Sequence, residues 1–188
     1  MEEYKKNTIE SYDKTVKEYI NKTESLHPES ESKVFLSFIN KKSLILDLGC
    51  GYGRDAKIFF DKGYNVIGVD LSEKMIEAAK KRVKNAEFKV MDLLNLDFKR
   101  DLFEGIWANA VFLHIPKECM VAAINECHRV LKEKGVLYLS VKEGKGEGIS
   151  SDESYGGVKK FWTYFQKSEI ENLLVNSGFN IIKSYAKL

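Results

Sequence analysis

Short apolar runs alternate along this chain with stretches in which apolar side chains recur every three or four residues, the two periods expected of buried strands and amphipathic helices. Residues 9–23 carry Ile9, Tyr12, Val16, Tyr19 and Ile20 at helical spacing. His27-Pro28 breaks the chain, and residues 32–40 bring Val34, Phe35, Phe38 and Ile39 onto a second helical face. Leu44-Ile45-Leu46 has the pattern of a buried strand, followed from Arg54 by a helix with Ala56, Phe59 and Phe60 on one side. Strand-like runs recur at 64–70, 86–91, 103–110, 136–141 and 179–186. Between them lie helical patterns at 72–84, 117–132 and 168–176, the first and last opened by the capping residues Ser72 and Ser168. This alternation predicts an α/β three-layer sandwich, a mostly parallel central sheet with helices on both faces.

One tract departs from both periods. Residues 142–157 hold five glycines among small polar residues and read as mobile surface, a candidate lid beside a ligand crevice. Phe161-Trp162-Thr163-Tyr164-Phe165 follows, and either closes the site over an apolar ligand or forms a short strand packed on the sheet.

Directly after the first strand, Gly49, Gly51 and Gly53 alternate around Cys50 and Tyr52. Strand, glycine loop and helix make a nucleotide-binding unit, with backbone N–H groups aimed at the ligand. A dinucleotide fingerprint would place its third glycine at position 54, where Arg54 stands, and Asp47 sits two places before the first glycine. Both features count against an NAD-linked oxidoreductase, the rival reading of the loop. Asp70 ends the second strand, and Ser72 already caps the next helix, so Asp70 is placed to accept both ribose hydroxyls of a nucleoside. Leu71 lies either against an adenine face or in ordinary helix-start packing, and Met75 is grouped with it. Asp92, just past the third strand, can accept the adenine amine while the Leu93 backbone N–H meets a ring nitrogen. Asn109 and Ala110 stand at the carboxyl end of the fourth strand, where parallel sheets bind ligands.

His114 is the histidine nearest that crevice and the first candidate for a general base, with Tyr155 and Tyr164 next. A helix-entry or core histidine needs no such role. Tyr12 and Tyr19 either pack beneath the sheet or belong to a helical lid, residues 1–40, that turns a hydroxyl toward the ligand and excludes water.

Composition narrows the partners. The 188 residues are 31% charged with a net charge of only +2 and no basic tract, so nucleic acid is not expected as a partner. Three cysteines lack metal-ligand spacing, and no metal is expected. No apolar run approaches the roughly 20 residues that span a bilayer, and the N-terminus lacks an apolar signal region. A single-domain cytoplasmic protein is the expectation, with a core over residues 43–188 behind the N-terminal segment.

D-L-G-C-G-Y-G-R-D (47–55), V-I-G-V-D-L-S (66–72), V-M-D-L (90–93) and G-V-L-Y-L-S (135–140) resemble the motifs of class I S-adenosylmethionine (SAM)-dependent methyltransferases. The resemblance covers about residues 43–186, and the layout is similar to small, single-domain bacterial members acting on small molecules. It implies a Rossmann-like sheet ordered 3-2-1-4-5-7-6, and cofactor contacts from Asp47, Gly49, Cys50, Gly51, Gly53, Asp70, Leu71, Met75, Asp92, Leu93, Asn109 and Ala110. Asp47 would complement the amino-acid end of SAM. The implied reaction is in-line transfer of methyl from SAM to O, N or S of a small acceptor, leaving S-adenosylhomocysteine. No seventh strand is evident, so either Phe161–Phe165 contributes to the sheet or the edge beyond the fifth strand stays open, the latter allowing a monomer or a homodimer paired through that edge. Neither an Asn/Asp-Pro-Pro-Tyr run nor a Pro-Cys nucleophile is present. A non-catalytic SAM-binding module remains the other alternative.

Overall fold

The computed structural model describes residues 2–186. Two N-terminal helices, α1 (Glu3–Thr23) and α2 (Glu29–Ser37), precede the strand β1 (Leu44–Leu48). There follow α3 (Arg54–Asp61), β2 (Asn65–Asp70), α4 (Glu73–Arg82), β3 (Glu87–Val90), β4 (Phe103–Ala108), α5 (Met120–Val130) and β5 (Leu131–Leu139). The five strands form one parallel sheet in the order β3-β2-β1-β4-β5. This is the Rossmann-like sandwich that the alternation of strands and helices predicts.

Strand alternation divides the core in two. Ile45 and Trp107 face α2, α3 and α4, packing with Phe35, Phe59, Ile76 and Ala79. Leu46, Leu48, Ile106 and Ala108 face the other way, onto Met120, Ile124 and Cys127 of α5. The connection from β3 to β4 has no helix, and α5 satisfies its backbone: Arg129 donates to the carbonyls of Leu96 (2.6 Å) and Phe98 (2.8 Å), while Glu126 accepts from Leu96 N–H (2.8 Å). Buried peptide groups need such partners.

Three expectations are corrected. The glycine-rich tract is not a structureless loop. It contributes β6 (Lys142–Glu143) and β7 (Glu147–Asp152), which flank β8 (Val158–Phe165) in a separate sheet ordered β6-β8-β7. Phe161, Thr163 and Phe165 of β8 alternate inward, and the polar β7 is held by antiparallel pairing along its full length, from Glu147↔Thr163 to Asp152↔Val158. Backbone pairing needs no apolar content, so composition hides such a hairpin. The final helix, α6 (Lys167–Asn176), is capped by Gln166 rather than Ser168, through a reciprocal capping box with Glu169. Residues 179–186 form no strand. A strand exists only through a paired neighbour, whereas here Phe179 lies against His128 (5.3 Å between rings) and Tyr185 Oη donates to Glu31 Oε1 (2.5 Å). Among the described residues β5 therefore pairs on one side only.

The second sheet and α1 together roof the carboxyl ends of the parallel strands. Phe161 N–H donates to Thr8 Oγ1 (3.1 Å), Thr163 Oγ1 donates to the Ile115 carbonyl (2.6 Å), and Lys22 Nζ reaches the Ser154 carbonyl. Tyr12 and Tyr19 belong to this roof and do not pack beneath the sheet.

Candidate active site

β1 ends at Leu48, and the chain reverses through glycines 49, 51 and 53 into α3. Gly49 has φ +72°, and a Cβ there would meet Val111 Cβ and Cγ2 at 2.5 Å, so glycine is required on two grounds. Gly51 has φ +51° but meets nothing within 4 Å. Its open side lies on a cleft of about 830 Å³, open mouth included, into which a side chain would project.

That cleft brings most of the expected residues together. Gly49, Gly51, Asp70, Leu71, Met75, Asp92, Leu93, Asn109 and Ala110 line it from the sheet side; Tyr12 and Tyr19 line it from α1, and His114 from a short 3₁₀ turn after β4. Asp70 accepts from Gly51 N–H and Ser72 N–H, both at 2.9 Å, which ties the glycine loop to the second strand tip. Burial raises its carboxyl above the usual range despite these donors. Asp92 accepts from Leu94 N–H (2.9 Å) and pairs with Lys5 Nζ of α1 (2.8 Å). Ala110 sits at φ +57°, strained for a residue with a Cβ, and its N–H donates to Ser140 Oγ (2.8 Å), which in turn donates to Asn109 Oδ1 (2.9 Å). The carboxyl end of β4 is thereby fixed at the cleft wall.

Other expected residues stand elsewhere. Asp47 is buried and outside the cleft lining, with Oδ2 unpartnered; burial and then Asp55 push its carboxyl well above the usual range. Strand period explains this, because Asp47 shares the face of Ile45. Cys50 turns into the core with Phe59 and Val66. Gly53 is the N-cap of α3 and faces Ala79. Tyr155 packs on Tyr19 (5.7 Å), and Tyr164 lies on β8; neither lines the cleft, so neither is placed as a base.

A group not foreseen from sequence supports the loop from behind. Asp55, at the start of α3, accepts from Arg54 Nε (2.6 Å) and Nη2 (3.1 Å), His27 Nδ1 (3.0 Å), Trp107 Nε1 (2.8 Å) and Asn109 Nδ2 (3.1 Å). Burial alone would raise its carboxyl, but the bonds from His27 and Arg54 outweigh it and hold Asp55 well below the carboxylate range. His27, which in the sequence marks only a chain break before Pro28, is a member of this cluster. An acid in the first helical turn is the one local signal, and it does not distinguish this hub from an ordinary capping acid.

His114 is largely buried under the roof, its Nδ1 2.8 Å from the Phe161 carbonyl and its Nε2 2.8 Å from Tyr12 Oη. Burial pushes the imidazole down to about 4, with Lys160 and Lys142 adding repulsion. The ordinary value is near 6.5, so as pH falls through that window the unfolded chain takes up a proton that the folded chain refuses. Thermal stability is expected to fall between about pH 6.5 and 4, and His114→Gln should flatten that decline. A variant declining as steeply as the native protein would contradict the assignment; melting curves across the window decide it.

A ligand cleft at the carboxyl ends of a parallel sheet, floored by a glycine loop and flanked by a strand-tip acid, defines a Rossmann-like nucleoside site. Gly51's open side and the Asp70, Asp92 and Leu93 groups fit an adenosyl cofactor. A family model described as a methyltransferase domain matches residues 45–135. An uncharacterised protein of Methanocaldococcus jannaschii is 34% identical over 183 residues, 96% of this chain and 75% of that protein. The demethylmenaquinone methyltransferase of Thermotoga maritima is 38% identical over 97 residues, 50% of this chain and 42% of its own length. A human protein named a probable tRNA methyltransferase is 34% identical over 108 residues, 57% of this chain and 23% of its own length. Among solved structures, a Burkholderia thailandensis 1,6-didemethyltoxoflavin N1-methyltransferase, itself bound to S-adenosylhomocysteine, superimposes with a TM-score of 0.69. It is 19% identical, with 94% of this chain and 80% of that chain covered. The chain spans under half the length of the two relatives named as methyltransferases. It belongs to the class I SAM-dependent methyltransferases, and SAM is the cofactor.

Proposed function

We propose that this chain methylates O, N or S of a small-molecule acceptor, working as one unit with α1 (Glu3–Thr23) in the lid, whereas α2, expected to share that role, packs on the sheet face. The observation that carries the reading is the roof: α1 and the β6-β8-β7 sheet are hydrogen-bonded to each other over the cleft. A roofed chamber suits a small acceptor better than a polynucleotide, and the small net charge of +2 agrees.

In this reading Asp70 holds the ribose, Asp92 and Leu93 receive the adenine edge, and Leu71 and Met75 supply apolar walls. The Gly49–Gly51 backbone and Asn109–Ala110 flank the amino-acid end. SAM supplies an electrophilic methyl on a sulfonium. The protein's part is to position the nucleophile and keep water out, which accounts for much of the acceleration in such displacements. No helix among the described residues is long and apolar enough to cross a membrane.

Incubation with methyl-labelled SAM and two pools, total tRNA and a protein-free small-metabolite extract, tests the acceptor class. Label is expected in the metabolite fraction. Label in tRNA alone would overturn the proposal, and NADH oxidation or formation in place of transfer would revive the oxidoreductase alternative.

A further inference from the structure

The hydrogen bonds under the roof have a direction. The Phe161 carbonyl can only accept, so the His114 Nδ1 bonded to it at 2.8 Å carries the hydrogen. A neutral imidazole then has a bare Nε2, and the 2.8 Å contact to Tyr12 Oη must be a bond that the phenol donates. Tyr12 has thus used its one hydrogen on His114, and what remains on its oxygen is lone-pair capacity. Both residues line the cleft, so the chain from Phe161 through His114 to Tyr12 ends at the cleft wall.

The groups packed around this chain keep it in that state. Tyr12 is stacked edge-on to His114 (5.6 Å) and Tyr19 (5.2 Å), and Trp162 lies 4.8 Å from the imidazole. Lys160 Nζ, paired with Asp152 at 3.0 Å, sits 4.5 Å over the Tyr12 ring, and Lys142 Nζ sits 3.6 Å over Trp162. These cations oppose a further proton on His114, which the fold holds neutral down to about pH 4. Were His114 protonated, Nε2–H would donate to Tyr12 and the polarity of the wall would reverse.

We infer that Tyr12 presents a hydrogen-bond acceptor to the methyl acceptor, selecting compounds whose nucleophilic atom is a neutral O–H or N–H, with His114 as the positioning residue that orients the phenol. Ammonium compounds are disfavoured by Lys160, and carboxylates by the lone pairs they would face. This rests on the small-molecule reading above and adds to it the chemistry of the atom to be methylated. Tyr12 becomes the group in contact with the acceptor, and His114 acts through it.

The test uses the full chain saturated with S-adenosylhomocysteine, with phenol and anisole as probes. They share a ring and differ in the hydrogen. Phenol is expected to bind about tenfold tighter than anisole, as one satisfied hydrogen bond predicts, and Tyr12→Phe should bring the ratio toward unity. In the same protein, ¹⁵N spectra of histidine should show His114 as the neutral tautomer protonated at Nδ1 at neutral pH, a readout that needs neither probe nor variant. Equal binding of the two probes, binding of neither, an unchanged ratio in the variant, or a tautomer protonated at Nε2 would each overturn the inference. Failure of the native chain to bind S-adenosylhomocysteine would instead remove the cofactor reading on which it stands.

Discussion

Asp70→Ala weakens S-adenosylhomocysteine binding by about 100-fold, close to 2.7 kcal/mol, in the outcome expected from the site. Two effects add. In the proposed binding mode the ribose loses its carboxylate, and the N–H groups of Gly51 and Ser72, each held at 2.9 Å, lose the group that fixes the loop against the second strand tip. Asp70→Asn retains one carbonyl oxygen and loses the charge, so it should fall between, near tenfold. Calorimetric titration measures both, with circular dichroism to confirm that the variants fold. Retention of affinity within about threefold in the alanine variant would show that the ribose is held elsewhere.

Asp55→Ala is expected to be the most destabilising single change near the site, by about 3–5 kcal/mol. Its carboxylate is the common acceptor for Arg54, His27, Trp107 and Asn109, and removing it strands four donors in an apolar surrounding. At the size of this chain the loss corresponds to a fall of roughly 10 °C or more in melting temperature. The pH dependence has the opposite origin to that of His114. Asp55 is more acidic folded than unfolded, so its contribution is complete above the ordinary carboxylate range near 3.9 and is lost as pH falls below it. Scanning calorimetry at neutral pH measures the main effect, and a melting temperature within about 2 °C of native would mean that the cluster repacks around water.

How much of this was legible in the sequence depends on how local each signal is. The parallel strands, the glycine loop and Asp70 declare themselves within a few residues: a short apolar run, glycines in alternation, an acid at a strand tip. Asp92, Leu93, Asn109 and Ala110 follow because parallel strands deliver their carboxyl ends to one side. Asp47 is a case where the signal was present and outweighed: its parity with Ile45 directs it into the core, whereas the motif suggests the ligand. Asp55 could not be found this way, since its partners come from positions 27, 54, 107 and 109 and meet only in the folded chain. The roof was hidden for another reason. Its β7 strand, E-G-I-S-S-D, has almost no apolar content and is held by pairing with an aromatic strand, a term absent from any local window. Residues 179–186 show the converse: a strand-like pattern without a partner.

The molecule's two tryptophans fall on opposite sides of this architecture. Trp107 is fully buried beneath the glycine loop, stacked 3.9 Å from Tyr138 and bonded to Asp55, so its emission reports the integrity of the core. Trp162 is half-buried in the roof, beside His114 and Lys142, so its emission is expected to report the packing of the roof. The chain therefore carries its own pair of optical probes, one in the core and the other in the roof beside a residue that lines the chamber.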